Sequence, residues 1–511
     1  MVWLEAVLGG KTMALIGPLE FAHYSQRLAR AFYQIEQRGI LVDQPKLENL
    51  REKILDEIDT HCNTIEGILG GPVASCEKAE SGRRNVKEVA SSKNCRKQDV
   101  INIGSPQQLI AIFESRGIKI PKKRGTTKGG VYTPGKQSLD EEALLRIALD
   151  NQQNKLPGLI LKVRELNKMR GTYVDTKLYN NQLFCAYKVT GTETGRRSSQ
   201  ENCFGFGTNG QNIPKHTHLG LLFRECLRAR PGHIFIEADQ KGAEDWLVQG
   251  IIVDNGGTHD GLNDLLTGVN RHAKLAARLF NLDPLEVRKH KGAGEKYEIQ
   301  YYCGKKTRHA GNYGMEADRM SIVLLCEAGL NMPPAYTTWL LKQFHSIEPD
   351  IQGVFQAWVE RQLNTTRRLV TPLGRERVFF DLRPGSGNAD TYRKAYAYIP
   401  QSSVGDNTGM AICELVEGGY PVIQDNHDAV TLEVLDNDEE ILKSIRAIEK
   451  AFDRTMRFPN GTEIKIPLEF QIGYNLKDLR QCPDNCDIVG LRSTLQPLRN
   501  TLTPQTTTIS G

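Results

Sequence analysis

The chain has 511 residues, more than one hydrophobic core holds, since cores stop growing at ~250 to 300 residues, so several lobes are expected. Its 39% hydrophobic and 25% charged residues are ordinary for a globular protein, and no run approaches the ~20 apolar residues of a membrane span, which excludes a membrane partner. The net charge of +5, from 66 basic and 61 acidic residues, is too small to prove a polyanion partner, so the placement of the basic residues matters more than their sum.

The start, MVWLEAVLGGKTMALIG, contains Glu5 and Lys11 and lacks a basic segment followed by a clean apolar stretch, so no secretory signal is expected and the setting reads as intracellular and cytoplasmic. The 11 cysteines are scattered, odd in number, and read as reduced thiols. Only Cys482 and Cys486 are close together, and a CxxxC without a second pair of ligands is weak evidence for zinc.

Residues 19–38 read as an amphipathic helix with Leu28, Ala31, Phe32 and Ile35 at helical spacing and Gly39 where a C-cap belongs. A second helix is expected over 45–69. From 71 to 100 Ser, Lys, Arg, Asn and Gly dominate, which reads as an exposed, inserted excursion. Residues 105–117 return to helix, and 119–135 form a basic, glycine-rich loop that cannot pack on its own. A long helical stretch over 138–177 carries Lys162, Arg164, Lys168, Arg170 and Lys177, either a surface that tracks phosphates or an ordinary solvated face. Between 180 and 240, β-like runs surround TGRRSSQENCFGFGTNGQNIP. Residues 242–370 read as helical and 371–480 as mixed, so a helical insertion divides the β-rich portion. Beyond Leu479 a disordered tail is expected.

In HIFIEADQKGAEDWLV an apolar run leads into Asp239 before the pattern turns helical, which places that carboxylate at a strand end facing a cleft; alone, it serves equally well as a helix N-cap. GYPVIQDNHDAVTLEVL reads as strands over 422–424 and 429–435 joined by a tight polar turn, with Asp428 near its tip, and alone it is ordinary hairpin chemistry. Together the two aspartates need a cation to neutralise them, and Mg²⁺ favours one or two carboxylates plus substrate phosphates. Two such ions ~3.5 to 4 Å apart activate a primer 3′-hydroxyl and stabilise a departing pyrophosphate. Between these segments Tyr301, Lys305, His309 and Tyr313 recur every four residues on one helix face. Lys305 suits triphosphate oxygens as a point charge, and His309 and Tyr313 suit the incoming base.

The order TGR…NGQNIP, DxxxxE, KxxxHxxxYG, then HD resembles the polymerase domain of family A DNA polymerases, the bacterial polymerase I group, from about residue 19 to 480. The resemblance implies an α+β right-hand fold: a lead-in over 1–29, a thumb over 30–185 with the polar loop 71–100 inserted, palm over 186–249 and 371–480, fingers over 250–370, and a disordered tail over 481–511. It implies dNTP and primer-template DNA as partners and two Mg²⁺ ions, replaceable by Mn²⁺, in replication or repair. Asp239 and Asp428 match the metal-binding carboxylates, with the Gln240 backbone carbonyl as a further ligand. Lys305 and His272 match triphosphate contacts, and Tyr313 and His309 line the nucleotide pocket. Glu244 matches the glutamate that closes the pocket against a ribose 2′-hydroxyl, which disfavours a single-subunit RNA polymerase. Arg196, Asn209, Gln211 and His427 fit the motifs beside primer and template, and Thr371, Arg377, Arg393 and Gln401 resemble elements that hold DNA.

Three positions depart from the family pattern. Tyr301 replaces an arginine, so triphosphate binding leans on Lys305 and His272 or recruits Lys306 or Arg308. His309 stands where Phe or Tyr is usual, and Ala429 replaces the glutamate that commonly follows the HD pair. No segment for a proofreading exonuclease is expected in this chain; a separate polypeptide then supplies that activity or a processivity factor, or synthesis is unedited. The compact form leans towards a phage-like source in a host cytoplasm. An inactive DNA-binding scaffold is the alternative from another class, opposed by the intact Asp239, Asp428 and Lys305.

Overall fold

The computed structural model describes residues 18–75, 85–122, 126–128, 131–133, 135–382, 388–483 and 486–500. The N-terminal segment read for a leader, residues 76–84 of the polar stretch, parts of the basic loop and the final residues 501–511 lie outside the described residues.

Helix α1 (Pro18–Arg38) buries Leu28, Ala31, Phe32 and Ile35, the positions its spacing marked. Helix α2 (Gln44–Leu69) starts where the Asp43 carboxylate accepts from the Lys46 N–H and stops at Gly70, whose φ of 77° suits a residue without Cβ. The stretch 71–100 differs from a bare excursion. Val73–Ala74 pairs in parallel with Ile101–Asn102, Asn85 caps a helix over Val86–Ser92, and Ala74, Val89, Ala90 and Val100 close a small apolar cluster. So few apolar side chains in so polar a segment leave no periodic signal.

The stretch 138–177 is also corrected. It forms helix α3 (Glu141–Asp150) and helix α4 (Leu156–Met169), the latter continuing into a π-helical turn at Arg170–Val174. Nor is it a continuous cationic face. Arg170 is buried 3.2 Å from Asp175, Arg164 donates to the Leu139 carbonyl at 2.5 Å, and Lys162 pairs with Glu165 at 3.1 Å, which leaves Lys168 and Lys177 exposed. These helices pack with α2 around Leu50, Ile54, Ile160, Val163 and Leu166, a core separate from the main one.

Strand β1 (His233–Gln240) is the centre of a five-stranded antiparallel sheet. Helices follow it from Ala243 to Thr366, among them α5 (Ala243–Asp254), α6 (Arg271–Phe280) and α7 (Glu298–Asn312). Helix α8 (Ala389–Glu417) then leads back to β2 (Val422–Asp425) and β3 (Ala429–Leu435). After α9 (Asp438–Phe452) come β4 (Leu468–Gly473) and β5 (Arg480–Gln481), giving the spatial order β2-β3-β1-β4-β5. Period-two alternation along β1 sends Ile234, Ile236 and Ala238 into the main core, whereas Phe235 joins the second core and shares its face with Glu237 and Asp239. Helix α8 lies across the main core against α1, α5 and α9, with Tyr398, Val404, Ala411 and Ile412 buried.

The disordered tail expected over 481–511 is overturned at residues 488–500. Helix α10 (Ile488–Asn500) docks on α9 with Leu491, Leu495 and Leu498 buried, and Arg499 meets Asp436 at 2.7 Å and Asp438 at 2.8 Å. The four-then-three leucine spacing is an amphipathic stripe that the surrounding Thr, Pro and Gln disguise. Cys482 and Cys486 are buried together in the main core, and every described cysteine is a free thiol. Among the described residues no helix is long and apolar enough to cross a membrane. Leu495→Ala removes a fully buried side chain from α10 and is expected to destabilise the protein by about 2 to 4 kcal/mol in denaturant unfolding. A change below about 0.5 kcal/mol contradicts docking of the helix.

Candidate active site

Asp239 occupies the last turn of pairing on β1, directly opposite Ala429 on β3 and Glu469 on β4. Asp428 precedes Ala429, and its carbonyl accepts from the Gln240 N–H at 3.2 Å, so the two aspartates sit on adjacent strands at one end of the sheet. The turn between β2 and β3 is tight: the Asp428 N–H donates to the Asn426 carbonyl at 2.9 Å, and His427 adopts φ 70°, a left-handed conformation costly for a residue with a Cβ.

A buried guanidinium holds this strained turn. Arg197 donates from Nη2 to Asp425 Oδ1 and to the His427 carbonyl, both at 2.9 Å, and makes further short contacts with Asp425 Oδ2 and the Gly405 carbonyl of α8. From the other side Gln240 turns its side chain inward, donating to Thr408 Oγ1 at 2.8 Å and accepting from Asn407 Nδ2 at 2.7 Å. Both arms of the aspartate pair are thus braced on α8.

Burial pushes both carboxyls above the ordinary range, and their neighbours add to it. Asp239 feels Asp428, Glu237 and Glu469 as like charges, with Lys215 opposing. Asp428 is relieved in part by Arg196 and Lys215 and raised by Glu244. Among the described residues no three His, Cys, Asp or Glu side chains form a metal-ligating cluster, and Asp239 and Asp428 are a pair of carboxylates, an oxygen-only donor set. That excess of negative charge and the oxygen donors fit Mg²⁺.

Glu244, in the first turn of α5, ties the pair to the helix beyond. It contacts Arg196 through Oε1 and accepts from the Tyr313 hydroxyl at 2.5 Å through Oε2. His309 stands edge-on to Tyr313 with ring centroids 5.1 Å apart, so Arg196, Glu244, His309 and Tyr313 form one cluster. Lys305 and His309 are exposed on α7. Tyr301, one turn before Lys305, lies edge-on to His272 at 6.3 Å. Burial beside Arg308, Lys305 and Arg271 pushes the His272 imidazole down to about 3, so it faces the site as a neutral ring, with an unpartnered buried Nδ1.

A family model described as DNA polymerase family A matches residues 74–478. This chain belongs to DNA polymerase family A. It is 26% identical over 463 residues to the thermostable DNA polymerase I of Thermus filiformis, an alignment covering 87% of this chain and 46% of that protein. It is 28% identical over 323 residues to DNA polymerase I of Chloroflexus aurantiacus, covering 61% of this chain and 30% of the relative. The chain therefore spans less than half the length of these relatives. Among solved structures it is similar to the POL domain of Pol1 from M. smegmatis in complex with DNA primer-template and dNTP, with a TM-score of 0.66, 19% identity, and coverage of 90% of this chain and 72% of that one. The α+β right-hand polymerase fold is the fold of this family A chain.

Two suggestions made for the missing arginine at Tyr301 are corrected by the geometry. Arg308 is 2% exposed and locked to Glu348 at 2.5 Å, and Lys306 pairs with Glu327. Neither faces the row of Tyr301, Lys305 and His309, because a helix turns 100° per residue and both lie off that stripe. Asn209 accepts from Ser199 Oγ at 2.7 Å, while both polar side-chain atoms of Gln211 are buried without a partner. The His427 ring nitrogen Nδ1 is likewise unpartnered. Thr371 is buried and accepts from the Arg375 N–H at 3.0 Å within its own turn. Arg377 pairs with Glu193 at 2.9 Å, Arg393 pairs with Glu316 at 3.0 Å, and Gln401 is half-buried on α8. Sequence reading missed Arg197, Asp425, Lys215 and Glu237. The doubled arginine after TG was the available signal, and only its first member was used.

The raised carboxyls have a stability consequence with a definite sign. A carboxyl whose folded-state value lies above its unfolded value of about 4 stabilises the fold fully below that pH, and the contribution is lost as pH rises through the raised value. With divalent ions chelated, Asp428→Asn is therefore expected to raise Tm by about 1 to 3 °C at about pH 8 and to leave it unchanged at about pH 4. A loss of Tm at the higher pH contradicts the charge repulsion described here.

Proposed function

We propose that this chain is a template-directed DNA polymerase that transfers a deoxynucleoside monophosphate from a dNTP to a primer 3′-hydroxyl, in replication or repair. The observation that carries the reading is the pairing of Asp239 and Asp428 on adjacent strands with Glu244 linking them to the Lys305–His309–Tyr313 helix. Asp239, Asp428 and the Gln240 carbonyl hold divalent ions, Mg²⁺ or Mn²⁺, which when bound lower the cost of the negative charge that develops on the attacking and leaving oxygens. Lys305 holds the triphosphate as a point charge, and His272 adds a neutral donor. Tyr313 closes the base pocket. Arg196, Asn209, Gln211 and His427 border the primer and template, with Thr371, Arg377, Arg393 and Gln401 further along the DNA path. Contacts to phosphate make DNA binding independent of sequence and sensitive to salt.

Glu244 sets the sugar. Its carboxylate is fixed by Arg196 and Tyr313 at the start of α5, and in this reading it obstructs a ribose 2′-hydroxyl and so selects dNTPs over rNTPs. The reading includes synthesis without proofreading by this chain, which leaves labelled single-stranded DNA intact.

Primer extension with dNTPs and rNTPs in parallel tests these assignments. Asp239→Ala and Asp428→Ala are each expected to lower the rate by about 10² to 10³-fold, the cost of removing a stabiliser of transition-state charge. Synthesis at the wild-type rate by either variant sinks the reading. Glu244→Ala is expected to raise rNTP incorporation relative to dNTP by at least about tenfold, and unchanged discrimination removes Glu244 from that role.

A further inference from the structure

Glu237 has no part in the chemistry above, yet it is 6% exposed and lies on the face of β1 that carries Asp239. Its Oε2 accepts from Asn426 Nδ2 at 3.2 Å and from Thr431 Oγ1 at 3.4 Å, and its Oε1 lies 3.6 Å from the ammonium of Lys215. Asn426 opens the turn that presents Asp428: its N–H donates to the Ala429 carbonyl, and its own carbonyl accepts from the Asp428 N–H, both at 2.9 Å. Glu237 therefore connects the strand of one aspartate to the turn of the other.

The register places this carboxylate close to Ala429. Asp239 faces Ala429, and Glu237 faces Thr431, so the two pairs are neighbours on one face of one ladder. Diagonal positions in such a ladder are about 7 to 8 Å apart, within reach of a glutamate side chain. A carboxylate absent at 429 is thus matched by one present a single pair further along, on the opposite strand. An amide would accept the same two hydrogen bonds without the cost of burying a charge that faces the partly exposed Lys215 ammonium at 3.6 Å, with the buried Arg224 guanidinium also in its field. The charge itself has a use.

We propose that Glu237 is a positioning residue of the polymerase site, fixing the separation of Asp239 and Asp428 by tying β1 to the Asn426 turn and supplying the carboxylate that this chain lacks at Ala429. Lys215 completes the arrangement as the cation shared by Glu237 and the aspartate pair. The inference rests on the polymerase reading but is separable from it.

The test uses the full chain with primer-template DNA and a non-hydrolysable dNTP, titrated with Mn²⁺ by calorimetry, alongside single-turnover extension with a normal dNTP. Glu237→Gln keeps the shape and an acceptor oxygen for Asn426 and Thr431, and replaces the charged oxygen facing Lys215 with a neutral amide nitrogen. It is expected to weaken Mn²⁺ binding and slow extension by about tenfold, the scale of a lost partner behind metal ligands, with no fall in Tm. Adding Ala429→Glu to that variant is expected to restore both quantities. Wild-type Mn²⁺ affinity and rate in Glu237→Gln overturn the proposal, and so does a loss that Ala429→Glu fails to recover. Should the wild-type chain itself fail to extend primers, the polymerase reading falls, while equal Mn²⁺ binding by wild type and Glu237→Gln still decides against Glu237.

Discussion

A fully buried arginine governs the geometry of this molecule. The Arg197 guanidinium, 1% exposed, has no access to bulk water and must satisfy its donors within the protein. It does so with both oxygens of Asp425 and with carbonyls from α8 and from His427. Loss of the Asp425 carboxylate leaves a desolvated charge unpaired and loss of either carbonyl leaves a buried donor unsatisfied, so the segment before β1, the long central helix and the β2–β3 turn are held in one arrangement. That arrangement forces His427 into a left-handed conformation and directs Asp428 towards Asp239. Electrostatic repulsion between the two aspartates is tolerated because the surrounding fold is anchored elsewhere.

The helical lobe depends on a second buried network of the same kind. Arg271 bridges Asp245 at 2.8 Å and Glu348 at 2.7 Å, and Arg308 joins them through Glu348. Asp245 follows Glu244 on α5, so this network fixes α6 and α7 relative to the helix that begins beside the aspartates. The part-buried Glu244–Tyr313 hydrogen bond adds a further tie between the start of α5 and the end of α7. Glu244 lies between the two buried guanidinium networks: it contacts Arg196, the neighbour of Arg197, and precedes Asp245 in the chain.

Much of this was legible in the sequence because strong local patterns carried it. The strand run into Asp239, the polar turn before Ala429 and the four-residue repeat on α7 each have a short-range signature, and the structure places all three as read. What stayed hidden lacks such a signature. Arg197 is one of two adjacent arginines, and nothing local says which points inward. Glu237 interrupts an apolar strand, and its hydrogen-bond partners Asn426 and Thr431 are nearly two hundred residues away. The helix over Val86–Ser92 and helix α10 were lost in polar composition, although the leucine spacing of α10 carried a usable period. The apparent cationic face of α4 dissolved because arginine stems pack inward and their heads find carboxylates and carbonyls.

The central claim is that Asp239 and Asp428 form one divalent-cation site at the junction of sheet and nucleotide helix. Crystals of the chain with primer-template DNA and a non-hydrolysable dNTP, grown in Mn²⁺, test it by anomalous scattering. The account predicts two peaks about 3.5 to 4 Å apart, both contacting Asp239 and Asp428 and one also contacting the triphosphate. A bound nucleotide with no anomalous peak at this pair, or with Mn²⁺ held by other carboxylates, contradicts it.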